Sequence, residues 1–193
     1  VDFAAWCSYK YLNSGPGGVG GIFVHERHGE RTDLPRFAGW WGNDEATRFE
    51  MKKGFRPARG AEGWQISNAQ VFQMAALKSS LTVFDKVELS NLYTKRDELT
   101  AYLKFLLDGI IGDFPNLPIR IITPDNLQDR GCQLSLLVEK QGRDLYHYLV
   151  EKGVIVDWRE PNVIRIAPVP LYNSFNDVYT LTTIIREYSA AQF

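Results

Sequence analysis

The stretch from Val1 to His25 constrains the fold most, because a glycine-rich turn joins two short apolar runs. Residues 1–6 form the first run, and the β-branched and aromatic Ile22–Val24 forms the second, so the segment predicts a strand, a turn and a strand. Lys10 lies between two tyrosines where the first strand ends. Aromatic neighbours and close backbone would partly desolvate this lysine and favour the uncharged amine, which is the form that attacks a carbonyl carbon. A solvated lysine on a turn is the alternative interpretation.

The same turn matches the dinucleotide-binding pattern G-x-G-x-x-G between Gly15 and Gly20. That pattern holds a pyrophosphate when it follows a strand and opens a helix. Here the glycines lead into a strand, and Pro16 removes one donor amide from the loop. We therefore reject a nucleotide site and expect the glycines to allow close approach of the backbone.

The composition indicates an ordinary globular chain. Its 193 residues include 22 Lys and Arg against 23 Asp and Glu, a net charge of -1 that suggests neither a nucleic acid nor an anionic membrane as partner. No apolar run approaches the roughly 20 residues that span a bilayer. Cys7 and Cys132 form no Cys-x-x-Cys motif, which favours a reducing, cytoplasmic setting. The three histidines match no metal-ligand spacing, so no metal site is expected.

Three further segments carry candidate functional side chains. Trp40 and Trp41 lie in a glycine-bracketed aromatic cluster, which most often fills a core or an interface. Residues 67–70 match a capping box, so we expect an amphipathic helix from there through Phe84, with an N-terminus that also attracts anions. Arg165 lies mid-strand between two isoleucines, where a charge is uncommon without a partner. A surface arginine on an edge strand is the alternative there.

The rest of the chain predicts a long helix and then a compact α/β module. Apolar residues at helical spacing predict a helix at about 92–111, long enough to connect two domains. Strands are expected at residues 119–122, 133–138, 154–156 and 163–167. Helices are expected at residues 142–152 and from Ser174, where a second capping box begins.

Residues 8–13 and the glycines after them resemble the segment that carries the cofactor lysine in kynureninases, which are pyridoxal-phosphate enzymes of the aspartate-aminotransferase fold. Later segments resemble the same family in the same order: Gly39–Gly42, Ile66–Asn68, Arg130–Leu134 and Arg165–Phe175. The resemblance implies an α/β protein of fold type I. It would comprise the end of the large domain (1–90), a connecting helix (91–112) and a small C-terminal domain (113–193).

The resemblance also implies which residues contact the cofactor, pyridoxal 5'-phosphate. Lys10 would hold it covalently and move the substrate's Cα proton. Tyr9 would be a phosphate ligand that takes part in proton transfer. Trp40 would contact the phosphate across a dimer interface, and Asn68 would be a further cofactor or substrate contact.

Four residues resemble the substrate contacts of the family. Arg165 would bind the α-carboxylate, a task that suits a planar guanidinium. Trp41 would form an aromatic wall of the substrate pocket, with Ser67 beside it. Asn43 stands where some members of the family have a histidine, and an amide supplies no group that titrates near neutral pH.

The implied reaction is hydrolysis of L-kynurenine or 3-hydroxy-L-kynurenine to L-alanine and an anthranilate. The resemblance further implies a cytoplasmic homodimer whose active site is shared across the interface, acting in tryptophan catabolism and NAD biosynthesis. Because the chain opens directly on a strand, we expect an N-terminal portion with the remaining cofactor contacts to be missing and this piece to be inactive alone. The alternatives are another fold-type I enzyme, such as a cysteine desulfurase or epimerase relative, and a non-catalytic paralogue.

Overall fold

The computed structural model describes residues 1–192 and divides the chain into two compact units. The first unit is Val1–Lys86, and the second begins at Val87. The long helix that the sequence suggested as a connector, α2 (Leu89–Asp113), lies within the second unit.

The first unit opens with a two-stranded antiparallel hairpin, which confirms the strand, turn and strand expected from the sequence. Strands β1 (Phe3–Cys7) and β2 (Gly20–Val24) pair so that Phe3 lies opposite Val24. The chain then runs through loops with two short 3-10 turns, Glu26–His28 and Gly60–Trp64. This irregular stretch agrees with the poor periodicity of residues 28–63.

Helix α1 (Val71–Phe84) starts later than its sequence pattern predicts. The prediction of a capping box at residues 67–70 is wrong, because Gln70 is the N-cap residue and makes no side-chain cap hydrogen bond. The Gln70 backbone is extended, with φ −69° and ψ 123°, and its carbonyl accepts from the amide of Met74 at 3.0 Å. None of the α1 residues is buried, and Phe72 is 87% exposed, so the expected amphipathic burial within this unit is absent.

The second unit packs three helices on one antiparallel sheet. Besides α2, the helices are α3 (Gly142–Glu151) and α4 (Phe175–Gln192). The strands are β3 (Ile119–Ile121), β4 (Leu134–Val138), β5 (Asp157–Arg159) and β6 (Val163–Ile166). They are ordered β3-β4-β6-β5, and every neighbouring pair is antiparallel. β6 is therefore an interior strand, which excludes the edge-strand alternative for Arg165.

One face of this sheet forms the core with the helices. Alternate residues of β4 and β6 are buried because successive side chains point to opposite faces of a strand. The fully buried apolar side chains are Leu99, Leu103, Leu107 and Ile110 of α2, Leu134 and Leu136 of β4, Leu145 and Leu149 of α3, Ile164 of β6 and Ile185 of α4. The opposite face carries Arg165, between buried Ile164 and Ile166.

Residues 154–156 do not form the strand that their sequence predicts, because the backbone there ends α3. Gly153 adopts φ +81°, and its amide donates to the carbonyl of Val150 at 3.0 Å. The amide of Val154 donates to the carbonyl of Leu149 at 2.9 Å, which completes a Schellman motif. Strand pairing therefore begins only at Asp157.

The second capping box is confirmed at the start of α4. The Ser174 amide donates to Asp177 Oδ2 at 2.8 Å, and the Asp177 amide donates to Ser174 Oγ at 3.2 Å. The hydrogen bond from the Ser174 amide, followed by that from the Asn173 side chain, lowers the pKa of Asp177. The two residues satisfy each other's amides at the helix N-terminus.

None of the helices formed by residues 1–192 has the length and apolarity of a bilayer-spanning segment. Within the same residues, no three His, Cys, Asp or Glu side chains are grouped so that they could hold a metal ion. Cys7 and Cys132 are both free.

Candidate active site

The turn after β1 is built on a buried serine. Ser8 is 1% exposed, and its hydroxyl lies 2.6 Å from the hydroxyl of Ser14 and donates to the carbonyl of Val19. The amide of Ser14 donates back to the carbonyl of Ser8 at 3.1 Å, and the amide of Asn13 donates to the carbonyl of Lys10 at 2.9 Å. These bonds close residues 8–14 into a loop with fixed ends. The turn therefore presents the side chains of Tyr9 and Lys10 from a defined backbone.

Lys10 is exposed, so the partial desolvation expected from its sequence neighbours is wrong for the described chain. Its Nζ lies 5.7 Å from the ring centroid of Tyr9, whose side chain is itself 47% exposed. Within residues 1–192 no carboxylate lies close enough to Lys10 to form an ion pair with it. The amine is therefore accessible and is held near a phenol.

Helix α1 fixes the far side of this turn. The hydroxyl of Ser80 donates a 2.6 Å hydrogen bond to the backbone carbonyl of Leu12. Leu12 is two residues after Lys10, so α1 anchors the lysine turn directly. The sequence alone gave no signal for this contact, because the two residues are 68 positions apart.

Two glycines bring the aromatic segment against residues 65–66. A Cβ at Gly39 would lie 2.1 Å from the Ile66 carbonyl oxygen, and one at Gly42 would lie 2.6 Å from the Gln65 oxygen. Only glycine permits this approach, because real Cβ atoms do not come within 3.0 Å of other heavy atoms. The structure thus brings the segment that carries Trp40 and Trp41 beside the backbone that leads into Ser67 and Asn68.

Trp40 and Trp41 contact each other edge to face, with ring centroids 5.1 Å apart. Trp40 is 48% exposed and also packs on Phe49, at 5.9 Å. Trp41 is half-buried, and the guanidinium of Arg48 lies 4.6 Å from its ring centroid. Trp40 therefore offers an accessible indole surface, whereas one side of Trp41 is covered by Arg48.

Asn43 holds its own loop together. Its side-chain oxygen accepts a 2.8 Å hydrogen bond from the amide of Arg56, and its backbone carbonyl accepts from Arg48 at 3.2 Å. An isolated β-bridge joins Asn43 to Pro57. These contacts assign a structural task to the Asn43 side chain, which is half-buried.

Ser67 and Asn68 are both exposed. The Ser67 hydroxyl lies 3.2 Å from Asn68 Oδ1, and the Gln65 side chain donates to the Ser67 carbonyl at 2.9 Å. Because neither side chain caps α1, both remain available to a ligand at the start of that helix.

Arg165 belongs to the second unit and is paired with Asp157, a residue that the sequence analysis did not single out. Its Nε and Nη2 atoms each lie 2.5 Å from Asp157 Oδ2. The sequence signal that would have found this pair is the single acidic residue on the strand before β6, but the register of the two strands had to be known. The other seven predicted site residues all lie in the first unit.

The chain is similar in sequence to kynureninases. Residues 92–185 match the family model described as the kynureninase C-terminal domain. Over 188 residues the chain is 53% identical to a kynureninase of Myxococcus xanthus, covering 97% of this chain and 43% of that protein. It is 52% identical over 187 residues to one of Flavobacterium johnsoniae, covering 97% and 44%. The chain thus spans less than half the length of the curated relatives it matches.

Solved structures with this fold include a cysteine desulfurase of Thermococcus onnurineus, with a TM-score of 0.73 and 17% identity over 99% of this chain and 48% of that one. An acetylornithine aminotransferase of Elizabethkingia anophelis gives a TM-score of 0.59 and 15% identity over 100% of this chain and 39% of that one. At such low identities the structural similarity shows only the fold, which is that of fold-type I pyridoxal-phosphate enzymes. The sequence similarity is more specific, and by it the chain belongs to the kynureninase family.

Proposed function

We propose that this chain is part of a pyridoxal-phosphate enzyme that hydrolyses L-kynurenine or 3-hydroxy-L-kynurenine to L-alanine and the corresponding anthranilate. The observation that carries the proposal is the identity of 53% with a curated kynureninase over 97% of the chain. Cysteine desulfurases share the fold at only 17% identity, so they give no comparable support for activity on cysteine.

The residues of the lysine turn fit the cofactor. Covalent attachment to a carbonyl needs an amine that is free of ion pairs and open to a ligand. Lys10 meets this requirement, since it is exposed and the Ser8, Ser14 and Ser80 hydrogen bonds hold the turn that carries it. The Tyr9 hydroxyl and the exposed Trp40 indole add hydrogen-bond donors of the kind that a phosphate accepts.

In this proposal each residue of the chain has a defined task. Lys10 Nζ holds the cofactor and later carries the proton removed from the substrate's Cα. Tyr9 Oη binds phosphate and takes part in proton transfer, while Trp40 and Asn68 are further cofactor contacts. When bound, the cofactor supplies a sink for the electrons of the broken bond, which is its own chemistry.

The substrate tasks fall to the remaining predicted residues. Arg165 binds the α-carboxylate and so orients the Cβ–Cγ bond that water cleaves. Trp41 forms an aromatic wall for the substrate ring, with Ser67 and Asn43 beside it. For Asn43 we infer an indirect part, because its amide oxygen already accepts from the Arg56 amide.

We further propose a cytoplasmic homodimer with an active site shared between subunits, acting in tryptophan catabolism and NAD biosynthesis on a small amino-acid substrate. We propose no nucleic-acid or membrane partner. The near balance of charge supports this part, with 22 basic against 23 acidic residues. The oligomeric state is tested by sedimentation of the full-length protein.

The first experiment is an absorption spectrum of the full-length protein with pyridoxal phosphate, followed by borohydride reduction and peptide mapping. We expect a visible band and a label on the peptide that carries Lys10. Lys10→Ala should abolish the label, whereas Lys78→Ala, a control on α1, should leave it unchanged. A label on another lysine, or no band, would contradict the cofactor site.

Turnover assays then test the reaction and the substrate. Production of anthranilate and alanine from kynurenine supports the proposal, and activity on cysteine alone would replace it with a desulfurase function. The 193-residue chain should show no turnover by itself, so measurable activity of the isolated chain would contradict that part of the proposal.

A further inference from the structure

The pairing of β5 with β6 places an acid beside the proposed carboxylate-binding arginine. Asp157 and Arg165 are direct cross-strand partners, and Ser135 of β4 lies opposite Arg165 on the other side. Cross-strand partners project to the same face of a sheet, so their side chains meet. The Arg165 side chain is 31% exposed and that of Asp157 is 47% exposed. The pair therefore stands on the open face, away from the core.

The geometry of the pair leaves a particular edge of the guanidinium free. Arg165 donates from Nε and from Nη2 to the same oxygen of Asp157, at 2.5 Å in each case. A guanidinium has five N–H groups, so both hydrogens of Nη1 and one of Nη2 remain. Those groups form the end of the fork, where two parallel N–H bonds match the two oxygens of a carboxylate.

Asp157 does not fully neutralise Arg165, because the Asp157 carboxylate also pairs with a second arginine. Arg159 Nε lies 3.0 Å from the same Asp157 oxygen. The three side chains together carry two positive charges and one negative charge. The cluster therefore keeps a net positive charge that attracts an anionic ligand, although a carboxylate is already bound to Arg165.

We propose that Asp157 is a positioning residue that holds the Arg165 guanidinium with its free end directed to the substrate's α-carboxylate. The inference rests on the proposed function, since it takes Arg165 as the carboxylate-binding group. Without Asp157 the long Arg165 side chain keeps its charge but loses the contact that holds its Nε and Nη2 atoms in place. Substrate binding should then weaken while the chemical step is preserved.

The kinetic test compares the Asp157→Asn and Asp157→Glu variants with the wild type, each as the full-length holoenzyme. For Asp157→Asn we expect KM for kynurenine to rise about 3- to 10-fold with kcat within about twofold, the pattern of lost ground-state binding. Asp157→Glu keeps the charge and should recover part of the loss. Glu160→Gln is the matched control, because Glu160 pairs with Arg143 and not with Arg165, and it should leave KM unchanged.

A double-mutant cycle separates positioning from general damage. In an Arg165→Lys background, Asp157→Asn should change KM by less than about twofold, because coupled residues are non-additive. An equal rise in both backgrounds would overturn the inference, as would an unchanged KM in Asp157→Asn. If wild-type protein turns over kynurenine and the variant behaves the same, only the positioning role fails.

A spectroscopic test does not depend on turnover. In the protein labelled with 15N-arginine, the Arg165 Nε–H should exchange slowly with water in the wild type and fast in Asp157→Asn. Equal exchange rates would overturn the inference even if the protein proved inactive on kynurenine. An inactive wild type with a protected Arg165 Nε–H would contradict the proposed function and retain the positioning contact.

Discussion

The hydroxyl of Ser80 in α1 donates a 2.6 Å hydrogen bond to the carbonyl of Leu12, two residues beyond Lys10. A helix side chain thus satisfies a backbone acceptor of the turn that presents the candidate cofactor lysine. Because the bond spans 68 positions in sequence, it joins the turn to a part of the unit that no local pattern connects with it.

Removal of the Ser80 hydroxyl should loosen the lysine turn. For Ser80→Ala we expect a loss of about 1 kcal/mol in the free energy of unfolding, the usual worth of one hydrogen bond. We also expect weaker retention of pyridoxal phosphate by the full-length protein, measured by the rate at which its absorbance is lost on dilution. The exposed neighbour Ser79→Ala is the control, and an equal effect there would contradict a specific role for Ser80.

A methyl group at Gly39 should disrupt the aromatic segment. Its Cβ would lie 2.2 Å from the Ile66 Cα and 2.1 Å from the Ile66 oxygen, and backbone atoms cannot rotate away. We expect Gly39→Ala to cost about 1–3 kcal/mol, as overpacking does. The near-ultraviolet circular dichroism of the Trp40–Trp41 pair should change with it. Gly131→Ala has open space around the new Cβ, so a similar loss there would rule out the steric explanation.

Truncation of the second unit's core should be costly. Leu103 is 0% exposed at the centre of α2, so we expect Leu103→Ala to lose about 2–5 kcal/mol of unfolding free energy. Leu89→Ala removes the same atoms from a side chain that is 54% exposed in the first turn of that helix, and it should have little effect. Denaturant titration measures both, and equal losses would contradict the assigned core.

The capping box of α4 should make stability depend on pH. The pKa of Asp177 is lowered in the folded protein by the Ser174 amide and the Asn173 side chain. Its stabilising contribution is therefore complete above the unfolded pKa of about 3.9 and disappears as pH falls through the folded pKa. The difference in unfolding free energy between wild type and Asp177→Asn should shrink as pH falls from 7 to 2.

A control for this effect is Asn176→Ala, which changes an exposed residue in the same turn. Its unfolding free energy should follow that of the wild type across the same pH range. A difference between wild type and Asp177→Asn that stays constant down to pH 2 would show that the carboxylate charge is not what stabilises the helix N-terminus.

Local features of the fold were predictable because the groups that determine them are close in sequence. Gly153 ends α3 and the Ser174–Asp177 pair starts α4, in each case through bonds within six residues. The strands around the glycine turn were predictable for the same reason. Resemblance in five ordered segments was enough to identify the family and to select Lys10 and Arg165 as candidate site residues.

Non-local packing decided the remaining features. The Ser67 pattern did not cap a helix: the Ile66 backbone lies against Gly39, and α1 begins only after the extended Gln70. The missing strand at residues 154–156 is instead a local effect, because the Val154 amide donates to the Leu149 carbonyl at the end of α3.

The sequence by itself determined the family, the short-range turns and caps, and the identity of the candidate lysine and arginine. Only the tertiary structure decided that Lys10 is exposed on an anchored turn and that Arg165 is bound by Asp157. The physical reason is that burial and strand register depend on residues far apart in the chain. A pattern read along the sequence records which groups are present, and packing determines which of them meet.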